Sequence, residues 1–170
     1  DVAKYEDGRV KLPIIGAKDM MYSFLSYDEE KGFHSFTGES EMGQAGAASV
    51  VGINAGAATG VHLFSSKAIA ALRFITGYLT VHDGATLSIG DGNNPALVLL
   101  APQTTVFGPG TIDFGTSEGV FAVSANTTDN ASSVSAPIKG TGGISFVSMP
   151  DCDIEITSIY PSTIITSEIP

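Results

Sequence analysis

The chain has 170 residues, 43% hydrophobic and only 15% charged, which argues against a disordered polymer and leaves room for one domain with a core. Its formal net charge is −10 and its eight basic residues are scattered, so neither a nucleic-acid surface nor attraction to an anionic membrane is expected. The single cysteine, Cys152, excludes an intrachain disulfide framework, and no run of about 18 apolar residues offers a membrane-spanning helix.

The sequence begins at Asp1 without a methionine, a basic segment or an apolar leader, so the expectation is a removed leader or a numbering that omits the start. Residues 1–42 carry nine of the 18 acids and five of the eight basic residues. Short apolar clusters such as "LPII" and "MMYSFL" between polar turns predict short strands or an extended arm. Asp7-Gly8, between Tyr5 and Val10, is a hairpin-turn signal. Residues 43–61 are small and uncharged, the composition of a connector that runs extended or packs closely on a neighbour.

Residues 62–170 read as a β body with one helix near 66–76. There Ala68, Ile69, Ala71, Leu72 and Ile75 recur at helical spacing, Ser65 or Ser66 can cap, and Gly77 stands just past the end. Gly77, Gly110 and Gly143 precede alternating runs ("YLTV", "TIDF", "ISFV") and recur at one even interval, which predicts structural corners of three cycles of about 33 residues. Further strands are expected at 85–89, 96–100, 120–123, 133–138, 154–159 and 163–167. The fold class is therefore all-β. A short β-solenoid fits the repeat, and an antiparallel sandwich or jelly roll is the alternative.

The stretch "GPGTIDFGTSEGVFAVSANTTDNASSVSAPIKGTGGISF" (108–146), with "LTVHDGATLSIGDG" (79–92), resembles the strand repeats of autotransporter passenger proteins. The resemblance covers residues 77–147 and implies a parallel β-helix exposed outside the cell.

Candidate chemistry is sparse. His34, His62 and His82 each lack a metal-ligand companion at i+2 or i+4, so each reads as a structural histidine. Cys152 lies between Asp151 and Asp153, acids that raise a thiol pKa rather than activate it. Paired carboxylates would suit a glycosidase, and Asp83, Asp91, Asp113 and Glu118 are candidates. Asp151, Asp153 and Glu155 would share one face of a strand, a weak candidate for a metal or sugar site, although a solvated strand edge has the same pattern. "GDGNNP" (90–95) reads as a plain turn. The sequons at Asn126 and Asn130 stand in a Thr/Asn/Ser-rich loop where they arise by chance. No nucleophile elbow, P-loop or dinucleotide fingerprint occurs.

No catalytic residue, cofactor or metal is therefore expected. The expectation is a non-enzymatic structural or assembly protein of an exterior assembly: a virion component, such as a capsid-decorating or tail-associated subunit, or a surface-layer or filament subunit. Its expected partners are itself, as a homo-oligomer for which a trimer is one option, and neighbouring subunits reached through residues 1–61; its expected location is extracellular or on a virion surface. An exported adhesin or glycan-binding module is the second class, and a polysaccharide-active β-helix enzyme the third.

Overall fold

The computed structural model describes residues 15–18, 21–56, 59–124, 131–148 and 154–156. All its regular elements are strands. Near the N-terminus, β1 (Ile15–Lys18), β2 (Met21–Asp28) and β3 (Gly32–Ser35) form an antiparallel sheet in that order. Asp28 closes the β2–β3 turn by accepting the N–H of Lys31, and that hydrogen bond is the main reason its carboxyl is held below the ordinary value.

The rest is a parallel β-solenoid. The first coil is β4 (Val50–Asn54), β5 (Gly60–Leu63) and β6 (Lys67–Ile69). The second is β7 (Ala71–Thr76), β8 (Tyr78–Val81) and β9 (Thr86–Ile89), and the third β10 (Ala96–Leu100), β11 (Thr105–Phe107) and β12 (Thr111–Asp113). A fourth comprises β13 (Gly119–Val123), β14 (Ser132–Val134) and β15 (Ile138–Lys139). Two strands of a fifth, β16 (Ile144–Ser148) and β17 (Ile154–Ile156), complete the described residues. Successive coils hydrogen-bond in parallel to make three sheets: β4-β7-β10-β13-β16, β5-β8-β11-β14-β17 and β6-β9-β12-β15. The solenoid read from the repeat is the fold, and the antiparallel sandwich is not.

Alternation puts every second residue inside, and parallel register stacks like positions into columns. In the first sheet Val51, Leu72, Val98, Phe121 and Phe146 form one column. Val61, Leu79, Val106, Val134 and Ile156 stack in the second, and Leu87, Ile112 and Ile138 in the third. These columns are the hydrophobic core.

Every step along these columns is shorter than the interval from Gly77 to Gly110, so the coil is shorter than the expected cycle. Gly77 precedes β8 of the second sheet, Gly110 precedes β12 of the third, and Gly143 precedes β16 of the first, so they are three different corners. Their demands differ too. Gly77 has φ +99°, the left-handed region that side chains avoid. Gly110 is needed for close approach: a Cβ there would lie 2.3 Å from the His82 carbonyl oxygen and 2.7 Å from that of Ala85. The even glycine spacing misleads because the three-residue β11 and two-residue β15 carry too little pattern to register as strands.

The helix expected over 66–76 is replaced by β6 and β7, bent at Ala70, whose N–H donates to the Ser49 carbonyl. Its apolar residues looked helical because this part of the first sheet is buried on both faces, which gives a near-continuous run. Leu72 and Phe74 point into the core, while Ala71 points outward and is covered. Ser66, read as a cap, instead accepts the Thr86 N–H of the next coil.

The cover is the N-terminal hairpin. Phe24 and Phe36, each 3% exposed, pack on Val50, Ala71, Leu99 and Ala122, the outward residues of the first sheet. The Tyr22 N–H donates to Ser124 Oγ at 2.9 Å, tying the hairpin to the fourth coil. Residues 22–42, read as an extended arm, thus fold back on their own body, and residues 50–54 of the expected connector are a core strand. The open end of the first coil is plugged by Met42 and Ala45, and Arg73 pairs with Glu39 at 2.9 Å beside them. No helix among the described residues is long and apolar enough to cross a membrane.

Candidate functional site

The second sheet is organised differently. Leu79 and Val81 point into the core, so Tyr78 and Thr80 of β8 point outward, as does His82 just past its end. Register places Thr80 between His62 of β5 and Phe107 of β11, and Tyr78 between Gly60 and Thr105. The Tyr78 ring lies over Gly60, where a Cβ would come within 1.9 Å of it, so the missing side chain makes room for the ring.

These residues form a continuous ladder of rings. Phe64 stacks on His82 with centroids 4.1 Å apart, and His62 stacks beside Phe64 at 5.9 Å. Tyr78 meets His62 edge-on at 6.0 Å and Phe107 at 5.5 Å. His62 Nδ1 and His82 Nε2 are 3.0 Å apart. Yet the ladder is open to water: Phe64 is 72% exposed and Phe107 36%. Thr80, flanked by His62 and Phe107, is only 7% exposed, and its buried Oγ1 has no hydrogen-bond partner. Such a hydroxyl costs about 1–3 kcal/mol unless something supplies a bond.

Beside Tyr78 and Phe107 lies a groove of about 220 Å³, bordered by Thr76, Pro102, Gln103 and Thr105. Gln103 has φ +62°, a left-handed conformation that a non-glycine residue adopts at a cost of about 1 kcal/mol or more. Ring faces, an amide and two imidazoles are the chemistry of recognition: stacking, hydrogen bonding and metal or proton binding.

Of the residues singled out in the sequence, His62 and His82 fall in this ladder and Asp83 directly follows His82; the others lie elsewhere and are engaged separately. Asp113 pairs with Lys139 at 3.1 Å and accepts the Gly115 N–H. Asp91 closes its turn by accepting from Asn93 and Asn94. Partial burial pushes its carboxyl up, but these hydrogen bonds outweigh it and hold the group below its ordinary value. Glu118 accepts from Ser145 Oγ. His34 sits 3.5 Å from Asp28 in the hairpin. Asp151, Cys152, Asp153, the Asp7-Gly8 turn, both sequon asparagines and the strand expected at 163–167 lie outside the described residues. Glu155 is in β17, in register with Ser133. Among the described residues no three histidine, cysteine or carboxylate side chains form a group that could hold a metal.

The aromatic ladder escapes a reading of the sequence because its members come from separate coils. The signal is the coil length: the interval from His62 to His82 is close to that from Val61 to Leu79, register partners in the same sheet. The chain matches no protein-family model, no curated protein and no solved structure, so its function is argued from the solenoid and this exposed face.

Proposed function

We propose that this protein is a non-enzymatic subunit of an exterior assembly, a virion or surface-layer component, which meets neighbouring subunits through the outer face of its second sheet. The observation that carries the reading is the exposed ladder of Phe64, His62, Tyr78 and Phe107 on a rigid parallel sheet. Aromatic side chains supply large contact area at low entropic cost, which is why they anchor interfaces. Light scattering across a concentration series tests it. The wild-type chain is expected to self-associate, and the Phe64→Ser/Phe107→Ser double variant to stay monomeric with an unchanged circular dichroism spectrum. A wild type that remains monomeric throughout, or a double variant that associates equally well, overturns self-assembly through this face.

A second reading, an exported glycan-binding solenoid, is favoured by the groove beside Tyr78 and Phe107, where Gln103 is held in an unfavourable conformation. Ring faces stack on the apolar faces of sugars, and an amide both donates and accepts hydrogen bonds. The resemblance of residues 77–147 to passenger repeats points the same way. A glycan array hit that disappears with Tyr78→Ala and Gln103→Ala would support it, and no hit on a broad array would remove it.

A further inference from the structure

We infer that the groove beside Tyr78 and Phe107 is a subsite for a single neutral hexopyranose ring, hexose or N-acetylhexosamine, and that it turns away sialylated, uronic-acid and sulfated glycans. The inference rests on the glycan-binding reading above and adds the class of sugar. Size sets the first limit. A volume of about 220 Å³ lies below the roughly 300–1,000 Å³ of sites that enclose a drug-sized ligand, so the groove takes one sugar ring and leaves the rest of a glycan outside. Charge sets the second. None of the residues bordering the groove is charged, and residues 74–81 and 92–112, which supply them, contain no Asp, Glu, Lys, Arg or His. A carboxylate or sulfate brought there would lose water without gaining a cation, and the net charge of −10 opposes its approach.

The walls suit the two kinds of surface a sugar presents. The rings of Tyr78 and Phe107, with centroids 5.5 Å apart and inclined at 40°, are the apolar walls, and ring faces attract the C–H-lined face of a pyranose. The polar side is the turn between β10 and β11, where Pro102 fixes its own φ and Gln103 follows in the left-handed region. That turn is anchored from beneath: the Ala101 carbonyl accepts from Thr104 Oγ1 at 2.7 Å and from Ser132 Oγ at 2.8 Å, all three residues buried. Among the described residues every other positive φ belongs to a glycine, the residue that adopts it without strain. Gln103 alone keeps a side chain in that conformation, and it does so at the border of the groove. Its amide offers a donor and an acceptor, which a sugar hydroxyl, itself both, can satisfy. Thr105 Oγ1 accepts from Ser133 Oγ at 3.3 Å, so its own proton is left to donate to a second hydroxyl. A proline-rich peptide would use the same rings, but proline has no N–H and leaves the Gln103 amide oxygen without a donor.

The test is saturation-transfer NMR of the full chain with the methyl glycosides of glucose, galactose, mannose and N-acetylglucosamine, and with those of glucuronic acid and sialic acid. The expected result is saturable binding of at least one neutral glycoside below about 10 mM, with the acids about tenfold weaker or more. Gln103→Gly suits the left-handed backbone, and Phe107→Ser alters a ring already 36% exposed, so both variants are expected to keep the wild-type circular dichroism spectrum. Each should weaken neutral-sugar binding about fivefold or more, while Phe33→Ser, at an exposed ring of the hairpin, leaves it unchanged. An acidic glycoside bound as tightly as the neutral ones, or neutral binding that survives either groove substitution, would overturn the subsite and leave the glycan-binding reading in place. Binding of a polyproline peptide that is lost in Phe107→Ser, with no sugar bound, would assign the groove to a peptide instead. No binding of any of these sugars also overturns the subsite; the glycan array then decides the reading, which falls if the array is blank and stands if a longer glycan binds elsewhere.

Discussion

The outer faces of the first and second sheets are built on the same coils and end in opposite conditions. On the first, the outward residues Val50, Ala71, Leu99 and Ala122 are small or aliphatic and are buried under Phe24 and Phe36 of the hairpin. On the second, the outward residues are the hydroxyl-bearing Thr80 and the rings of His62, Tyr78 and Phe107, which carry polar atoms or contact one that does, and among the described residues no hairpin covers them. An aliphatic face left in water forgoes about 25 cal/mol for each Å² that could be covered, so it recruits a lid from the chain's own N-terminus. An amphipathic aromatic face tolerates water without a lid. The difference separates a surface that finishes the fold from one available for function.

The largest expected effect breaks the comparison at its root. A chain starting at Gly60 lacks the hairpin, the plug formed by Met42 and Ala45, and β4. Each large apolar side chain so removed from burial is worth about 1.5–3 kcal/mol, and their sum matches the roughly 5–15 kcal/mol that holds a domain together. No cooperative thermal transition is expected. A chain that still melts cooperatively would restore the reading of residues 1–42 as an arm. Next, Phe36→Ala should cost about 3–5 kcal/mol in denaturant unfolding, because it opens a cavity under the lid. A loss below about 1 kcal/mol would mean that the lid is loosely held.

Gly110→Val probes the corner behind the open face, where the new side chain meets the backbone oxygens of His82 and Ala85. The expected loss is about 1–3 kcal/mol, read as a fall in melting temperature of several degrees. An unchanged melting temperature would show that the corner has slack. Gln103→Gly relieves a left-handed backbone at the groove, and stability should stay level or rise by up to about 1 kcal/mol, while a lower melting temperature would show that the glutamine side chain supports the turn. Smallest of all, Phe64→Ala should change stability by less than about 0.5 kcal/mol, since its ring is mostly in solvent. The pair Phe36→Ala and Phe64→Ala is the sharpest form of the comparison: one residue type, removed from the covered region and from the open one. Equal costs would dissolve the distinction.

Much of this fold was legible. The strands around 78–81, 86–89, 96–100, 111–113, 119–123 and 144–148 were marked by alternation and by flanking glycines. Their repetition fitted a solenoid, with an antiparallel sandwich as the alternative, although the period read from the glycines was longer than the coil. The stretch 66–76 misled because burial on two faces erases the period-2 signal that separates strand from helix. The candidate site was legible only in pieces: His62 with Phe64, and Tyr78, Thr80 and His82, alternate outward along their own runs, but no local spacing connects one run to the next.

What the sequence determined by itself is therefore the set of properties that live within a few residues: which runs alternate, where glycine permits a corner, and that the charge suits no polyanion. What only the tertiary structure decided is lateral. The step from one coil to the next is uneven even within the second sheet, short from Val61 to Leu79 and long from Val106 to Val134. It is set by corners and short strands whose length no local pattern encodes. That step brings His62 against His82, while the fold-back of the N-terminal hairpin places Phe24 and Phe36 on the first sheet. Backbone hydrogen bonds between strands are indifferent to side-chain type, so the register, and with it the identity of every outward neighbour, is fixed only when the whole column of apolar side chains packs at once.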